Sequence, residues 1–213
     1  ELKYSSAEGR VPPLADLAEA LAPLGLSVRP LAARRQLDVY YDDGSLGLQR
    51  HGLALRVRAS AGAKVAAVKG RGDAVAGVHE REELEAPLAA DGPERGEPAP
   101  QTGGAPGLEV AWPAAVAARV SPIVELAALA PRLEIETWRT PFALERRRGG
   151  AAVAELAFDE VVCRPPGGRG EGGLIDEAAF SEVEVEAAEG TTRAELLRVG
   201  EALEGLLPLV RGS

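Results

Sequence analysis

Several stretches of the chain place an ionisable side chain at every second position. In SEVEVE, residues 181–186, Glu182, Glu184 and Glu186 alternate with Val183 and Val185. In HGLALRVRAS, Arg56 and Arg58 alternate with Leu55 and Val57, and in VAAVKGRG Lys69 and Arg71 form a like pair. In HEREELEA, Arg81, Glu83 and Glu85 line up opposite Glu82 and Leu84, and in AELAFDEV Glu155 and Asp159 line up opposite Leu156 and Phe158. A strand points successive side chains to opposite faces, so each row is one charged strand face. Clustered Lys and Arg match the oxygens of a polyphosphate, and rows of Asp and Glu match hard divalent cations such as Mg²⁺ or Mn²⁺. The chemistry such rows could do together is that of a metal–polyphosphate site.

A half-solvated antiparallel sheet explains each row singly, with charge outside and apolar residues inside. It does not explain the sorting: cationic pairs on two strands of the first half, acidic rows on the last two, mixed charge between. Sorted charge points to a shared ligand. Enclosing so many ionised groups is prohibitive unless water, counter-charges or ligands balance them.

The elements that must position these rows are mostly strands. Period-two alternation marks eight segments: 1–6, 35–41, 52–60, 64–71, 77–87, 132–146, 152–161 and 180–188. Leu14, Leu17, Leu21 and Leu24 mark a short amphipathic helix. A longer one follows Thr192, whose spacing to Glu195 predicts a capping box, with Leu196, Val199, Leu203 and Leu206 along one face until Pro208. WPAAVAARVSPIVELAAL reads as helical in two pieces broken at Pro122. Residues 89–107 and 165–173 are Gly- and Pro-rich loops, too short to divide the chain, so residues 1–213 read as one α+β domain.

An eight-stranded antiparallel barrel is about wide enough for one small ligand. With its charged rows inside, the usual layering inverts. The apolar positions then face outward, and the helices cover them.

Composition narrows the function classes. The 213 residues are 46% hydrophobic and 27% charged, within the globular range. A formal net charge of −9 argues against general binding to nucleic acid or anionic membranes, so any anion site is local. The single cysteine, Cys163, precludes an intramolecular disulfide framework and multi-cysteine zinc motifs, and fits a reducing cytoplasm. His51 and His79 lack metal-ligand spacing and no Gly-x-Ser-x-Gly elbow is present, so both histidines read as surface residues. No apolar run reaches membrane-spanning length, and the chain reads as soluble and cytoplasmic. Aromatics are 4% of the residues and none is expected to recur on the charged faces, which favours a substrate without a large ring.

The ordered motifs resemble the CYTH domain, or triphosphate tunnel metalloenzyme, family, and within it the bacterial inorganic triphosphatases. ELK at residues 1–3 is similar to the end of a Glu-x-Glu-x-Lys signature, and VYYDD to a Tyr-Tyr-Asp-Thr strand. GLALRVR and AAVKGRG resemble Leu-Arg-x-Arg and Leu-Lys-Gly strands, and HEREELEAPL, TWRTPF, AELAFDEV and SEVEVEAAEGT the later strands in order.

The resemblance implies an eight-stranded tunnel with a polar, charged interior that binds a triphosphate and, with Mg²⁺ or Mn²⁺, hydrolyses it to pyrophosphate and phosphate. By position Lys3, Arg56, Arg58, Lys69 and Arg139 would hold phosphate oxygens, and Glu1, Asp159, Glu182 and Glu184 would face metal ions. Arg71, Arg81, Glu83, Glu85 and Glu155 would be further tunnel residues, with Glu186 at the rim. The same resemblance admits a class IV-type adenylate cyclase, a thiamine triphosphatase, or a non-catalytic polyphosphate- or nucleotide-binding module.

The chain departs from the pattern in three places. The first Glu of the signature would precede Glu1, the family's late lysine would follow Ser213, and Pro141 stands where relatives often carry a basic residue. The chain is therefore expected to be a fragment of a longer product, with a CHAD-like domain possible beyond its C-terminal end.

Overall fold

The computed structural model describes residues 1–6, 9–70, 73–75, 78–80, 83–88, 110–167 and 177–211. Its first half runs β1 (Leu2–Ser6), α1 (Leu14–Leu21), β2 (Leu26–Pro30), β3 (Arg34–Asp42), α2 (Gly47–Arg50), β4 (Ala54–Ser60), β5 (Ala63–Lys69), β6 (Asp73–Val75), β7 (Val78–Glu80) and β8 (Glu83–Pro87). The second half runs α3 (Ala114–Val120), β9 (Ala130–Arg146), β10 (Ala152–Arg164), β11 (Ala178–Ala187), α4 (Arg193–Leu206) and β12 (Leu209–Arg211). All eight alternating segments of the sequence contain strands, with the described parts of 77–87 in β7 and β8, and short β2, β6 and β12 added.

Among the described residues one antiparallel sheet runs β6-β7-β1-β11-β10-β9-β3-β4-β5-β8, with β12 on β1 and β2 on β9. No described ladder joins β6 to β8. The sheet still curls around one space, because β1, β3, β4, β5, β8, β9, β10 and β11 carry or adjoin residues lining a single cavity. Eight strands thus contribute to the wall expected of a tunnel.

The layering is inverted as the alternation requires. Leu2 and Tyr4 of β1, Leu156 and Phe158 of β10, and Val183 and Val185 of β11 point outward into one apolar cluster. Leu17 and Leu21 of α1 and Leu196, Val199 and Leu203 of α4 cover it. A second cluster joins Leu55 of β4 and Ala66 and Val68 of β5 to Val116 and Val120 of α3. Burying each such large aliphatic side chain contributes about 1.5–3 kcal/mol, and this stabilisation lies outside the sheet. The interior is left chiefly to polar groups, with Leu53, Ile135, Val161 and Phe180 among them.

Local chemistry fixes the covering helices. Glu195 N–H donates to Thr192 Oγ1 at 3.3 Å while Thr192 N–H donates to Glu195 Oε2 at 3.0 Å, the reciprocal capping box that starts α4. Leu14 of α1 is the exception to its apolar row, at 42% exposure. The 112–129 region forms α3 and, past Pro122, a 3₁₀ turn at Leu126–Ala128.

Pro141 falls where β9 exchanges one partner for another. Its ladder with β3 ends at Arg139 opposite Arg34, and its ladder with β2 begins at Phe142 opposite Pro30. A strand residue without an N–H is tolerated at such a gap. Leu31 N–H donates to the Pro141 carbonyl at 2.9 Å and closes it.

Candidate functional site

Strand register turns the charged rows into cross-strand pairs. Lys3 of β1 stands opposite Glu184 of β11, Asp159 of β10 opposite both Glu182 of β11 and Arg139 of β9, and Lys69 of β5 opposite Glu83 of β8. Opposite charges facing across a ladder attract where like charges would repel. In the β11 row Glu184 faces a cation across its ladder, Lys3, whereas Glu182 and Glu186 stand opposite the carboxylates of Asp159 and Glu155.

The inward side chains line a cavity of about 1050 Å³. Lys3, Arg56, Arg58, Lys69 and Arg139 all reach it, as do Glu1, Asp159, Glu182, Glu184, Glu83 and Glu85, with exposed Glu186 at its edge. The structure thus brings the sequence-derived phosphate-side and metal-side residues to one space. Glu155 does not line that space: it accepts from Arg34 Nη2 at 2.6 Å and lies 3.9 Å from Arg139 Nη1. Arg71 and Arg81 lie outside the described residues.

The ion pairs divide the cavity into two halves. In one, Arg139 Nε donates to both Asp159 oxygens at 2.9 and 3.1 Å, its Nη2 contacts Glu184 Oε2, and Lys3 Nζ contacts Glu184 Oε1. Lys3 Nζ is also 3.4 Å from Glu1 Oε1. In the other half Asp38 of β3 accepts from Arg58 Nε and Nη2 at 2.8 and 2.7 Å and lies 3.7 Å from Arg56 Nη1. Lys69 Nζ sits 2.8 Å from Glu83 Oε1, and Arg56 Nη2 is 3.5 Å from both Glu83 and Glu85.

Burial and neighbours set the protonation of the acidic rows. Burial pushes the Glu184 carboxyl up, but Lys3 and Arg139 outweigh it and hold the group down at about 2. Burial raises Asp159 despite the Arg139 hydrogen bonds, with Glu184 adding to the effect. Burial also raises Glu182; Lys3 opposes this, while Glu184, Asp159 and Glu1 reinforce it. Lys3 is raised: burial works against its charge, and Glu184 and Glu1 more than compensate. Across the cavity, Glu85 is raised by burial and by Glu83, whereas Lys69 draws Glu83 down against its own burial.

The acidic half carries four carboxylates, Glu1, Asp159, Glu182 and Glu184, against two cations, Lys3 and Arg139. This excess of hard oxygen donors fits a divalent cation. Among the described residues no three His, Cys, Asp or Glu side chains are already arranged around a metal position, and Lys3 and Arg139 engage Glu184 and Asp159.

Two groups of lining residues escaped the sequence reading. Asp38 and Gln36 are only 4% and 5% exposed on the inner face of β3. They share their parity with Tyr40, and that period-two row of mixed polar residues was the available signal. The expectation of no aromatic on the charged faces is corrected, since Tyr40 and Phe180 both line the cavity. Tyr40 is two residues beyond Asp38, and Phe180 two before Glu182, so alternation carries both inward. His51 is exposed, with Nδ1 2.7 Å from the Gly47 carbonyl. No helix among the described residues is long and apolar enough to cross a membrane.

Comparison with known proteins agrees with this architecture. The family model described as the CYTH domain matches residues 10–207. Among solved structures, the chain is similar to HpAC1 from Hippeastrum, a candidate adenylyl cyclase with a dominant triphosphatase activity. That match has TM-score 0.56 and 18% identity, over 97% of this chain and 85% of that one. A candidate adenylate cyclase from Bacillus halodurans matches with TM-score 0.51 and 15% identity, over 97% of this chain and 89% of that one. At these identities the likeness concerns the fold. No curated protein matches the chain by sequence.

Proposed function

The chain belongs to the CYTH domain family, and on that footing we propose that it hydrolyses inorganic triphosphate to pyrophosphate and phosphate with a divalent cation. The observation that carries this reading is the convergence of Lys3, Arg56, Arg58, Lys69 and Arg139 with a carboxylate row on one cavity of about 1050 Å³. A linear triphosphate presents oxygens along its whole length, and cations on opposite walls would grip both ends. HpAC1's dominant triphosphatase activity is compatible with the same fold supporting such a reaction.

In the proposed reaction water adds to a terminal phosphorus, the bridging P–O bond breaks, and pyrophosphate leaves. Such transfers depend on positioning and on stabilising charge at the transferring oxygens. Arg56, Arg58 and Lys69 would hold one end of the chain, and Arg139 and Lys3 the other. Asp38 takes the Nε–Nη2 edge of Arg58 in two hydrogen bonds, which fixes the guanidinium before substrate arrives. Glu182, with Glu1, Asp159 and Glu184, would hold a divalent cation that neutralises phosphate oxygens when bound.

Phe180 favours a second reading. It is 44% exposed and lines the cavity two residues before Glu182, where the ring of a nucleoside or thiamine triphosphate could stack. The test is phosphate release from triphosphate, ATP, thiamine triphosphate and long-chain polyphosphate, with Mg²⁺, Mn²⁺ or EDTA, together with an assay for cyclic AMP. Fastest release from inorganic triphosphate, abolished by EDTA, is expected. Preference for a ring-bearing substrate, with KM raised by Phe180→Ala for that substrate alone, would replace the first reading by the second. Undiminished release in EDTA would exclude both.

A further inference from the structure

Resting on the triphosphatase reading, we propose that Glu184 occupies the phosphate-binding cations when the cavity holds no anion, so that triphosphate and divalent cation bind cooperatively and each weakly alone. Its two carboxylate oxygens contact Lys3 Nζ and Arg139 Nη2, cations whose other carboxylate partners are Glu1, 3.4 Å from Lys3 Nζ, and Asp159 on Arg139. An entering anion must take these cations from Glu184. The carboxylate it displaces, 14% exposed, is then left partly buried beside Asp159 and Glu182 without its partners. A divalent cation removes that cost, and a cation arriving first cannot draw Glu184 away from Lys3 and Arg139 without opposing them.

The charge count of the cavity points the same way. Five basic and eight acidic side chains line it among the described residues, an excess of three negative charges before any substrate enters. A triphosphate alone would add to that excess. Among the described residues, Arg56 Nε and Gln36 Oε1 belong to cavity-lining side chains and are buried with no hydrogen-bond partner. An unpartnered buried polar atom is costly unless a ligand or water completes it.

Calorimetry with imidotriphosphate, a non-hydrolysable analogue, measures its affinity for the whole chain in EDTA and in saturating Mn²⁺. Affinity in Mn²⁺ is expected to be at least about tenfold higher, and electron paramagnetic resonance of Mn²⁺ should show the same factor when the analogue is added, as linkage requires. Glu184→Gln should bind the analogue in EDTA about tenfold more tightly than the unsubstituted chain, and the Mn²⁺ effect should shrink.

Equal analogue affinity in EDTA and Mn²⁺ for the unsubstituted chain overturns the inference, whether or not Glu184→Gln folds. So does a folded Glu184→Gln with unchanged affinity in EDTA. If Mg²⁺-dependent phosphate release from triphosphate is present while the affinities are independent, this inference fails and the proposed function stands. If the analogue binds in neither condition, both fail.

Discussion

Arg139→Met removes the cation that serves two carboxylates at once. Arg139 is 8% exposed and Asp159 3%, and the guanidinium donates to Asp159 at 2.9 and 3.1 Å while contacting Glu184. Methionine fills comparable volume, so the loss is chiefly electrostatic. Breaking a buried pair by removing one partner costs about 3–5 kcal/mol, because the other charge stays behind. For a chain of this size that lowers Tm by about 6–20 °C.

Adding Asp159→Asn should return about 1–3 kcal/mol of the loss, since the orphaned charge is then gone. The penalty should also depend on pH. Without Arg139, Asp159 and Glu184 titrate higher, so they destabilise the fold when ionised and the variant recovers as pH falls from 7 towards 5. The unsubstituted chain behaves differently. Its Glu184 is held at about 2 against an ordinary value of 4.5, so the stability it contributes is present above 4.5 and is lost only as pH falls towards 2. That loss is about 3 kcal/mol.

Thermal melts at pH 7 and pH 5 of Arg139→Met, Asp159→Asn and the double variant read all of this. A Tm for Arg139→Met within 2 °C of the parent, about the shift 1 kcal/mol produces, would refute the buried network. A penalty that neither Asp159→Asn nor acid relieves would refute it equally.

Two further substitutions probe the walls. Glu182→Gln removes a carboxylate that burial and its acidic neighbours disfavour when ionised, so melts at pH 7 should show a gain of about 1 kcal/mol. The same variant should lose most Mg²⁺-dependent phosphate release. Gly200→Ala adds a methyl 2.9 Å from Leu2 Cδ1 and against the Tyr4 hydroxyl, beneath residues that are each 1% exposed. The crowding costs about 1–3 kcal/mol, more than the roughly 1 kcal/mol gained in helix propensity. Tm should fall, and Tyr4→Phe should restore part of it by deleting the crowded oxygen.

The parts of the fold that are local in the chain were legible in it. The Thr192–Glu195 capping box needs only four consecutive residues, and period-two alternation fixes a strand's faces wherever it runs long enough. Hence the outward apolar clusters, the covering helices and the shared cavity of Arg56, Lys69 and Glu184 follow from the rows themselves. Short β2 and β12 did not show, because three to five residues carry too little alternation to distinguish a strand from a loop. β2 pairs with long β9 and β12 with β1.

Asp38 was missed for a different reason. Its row, Gln36–Asp38–Tyr40, is mostly uncharged, so sorting strands by charge passed over it. Only the register that sets Asp38 opposite Arg58 reveals a carboxylate serving two arginines. Glu155 shares the face of Asp159 by parity, and its place four residues earlier in β10 pairs it with Arg34.

The proposed function requires that oppositely charged rows form one binding site for a triphosphate. A crystal structure with imidotriphosphate and Mn²⁺ tests it most directly, with the anomalous signal of Mn²⁺ locating the metal. The anion is expected to bridge Arg56, Lys69 and Arg139, with Mn²⁺ against Glu182 and Glu184. An anion bound on the outer surface, with the Lys3–Glu184–Arg139 contacts intact, would contradict it.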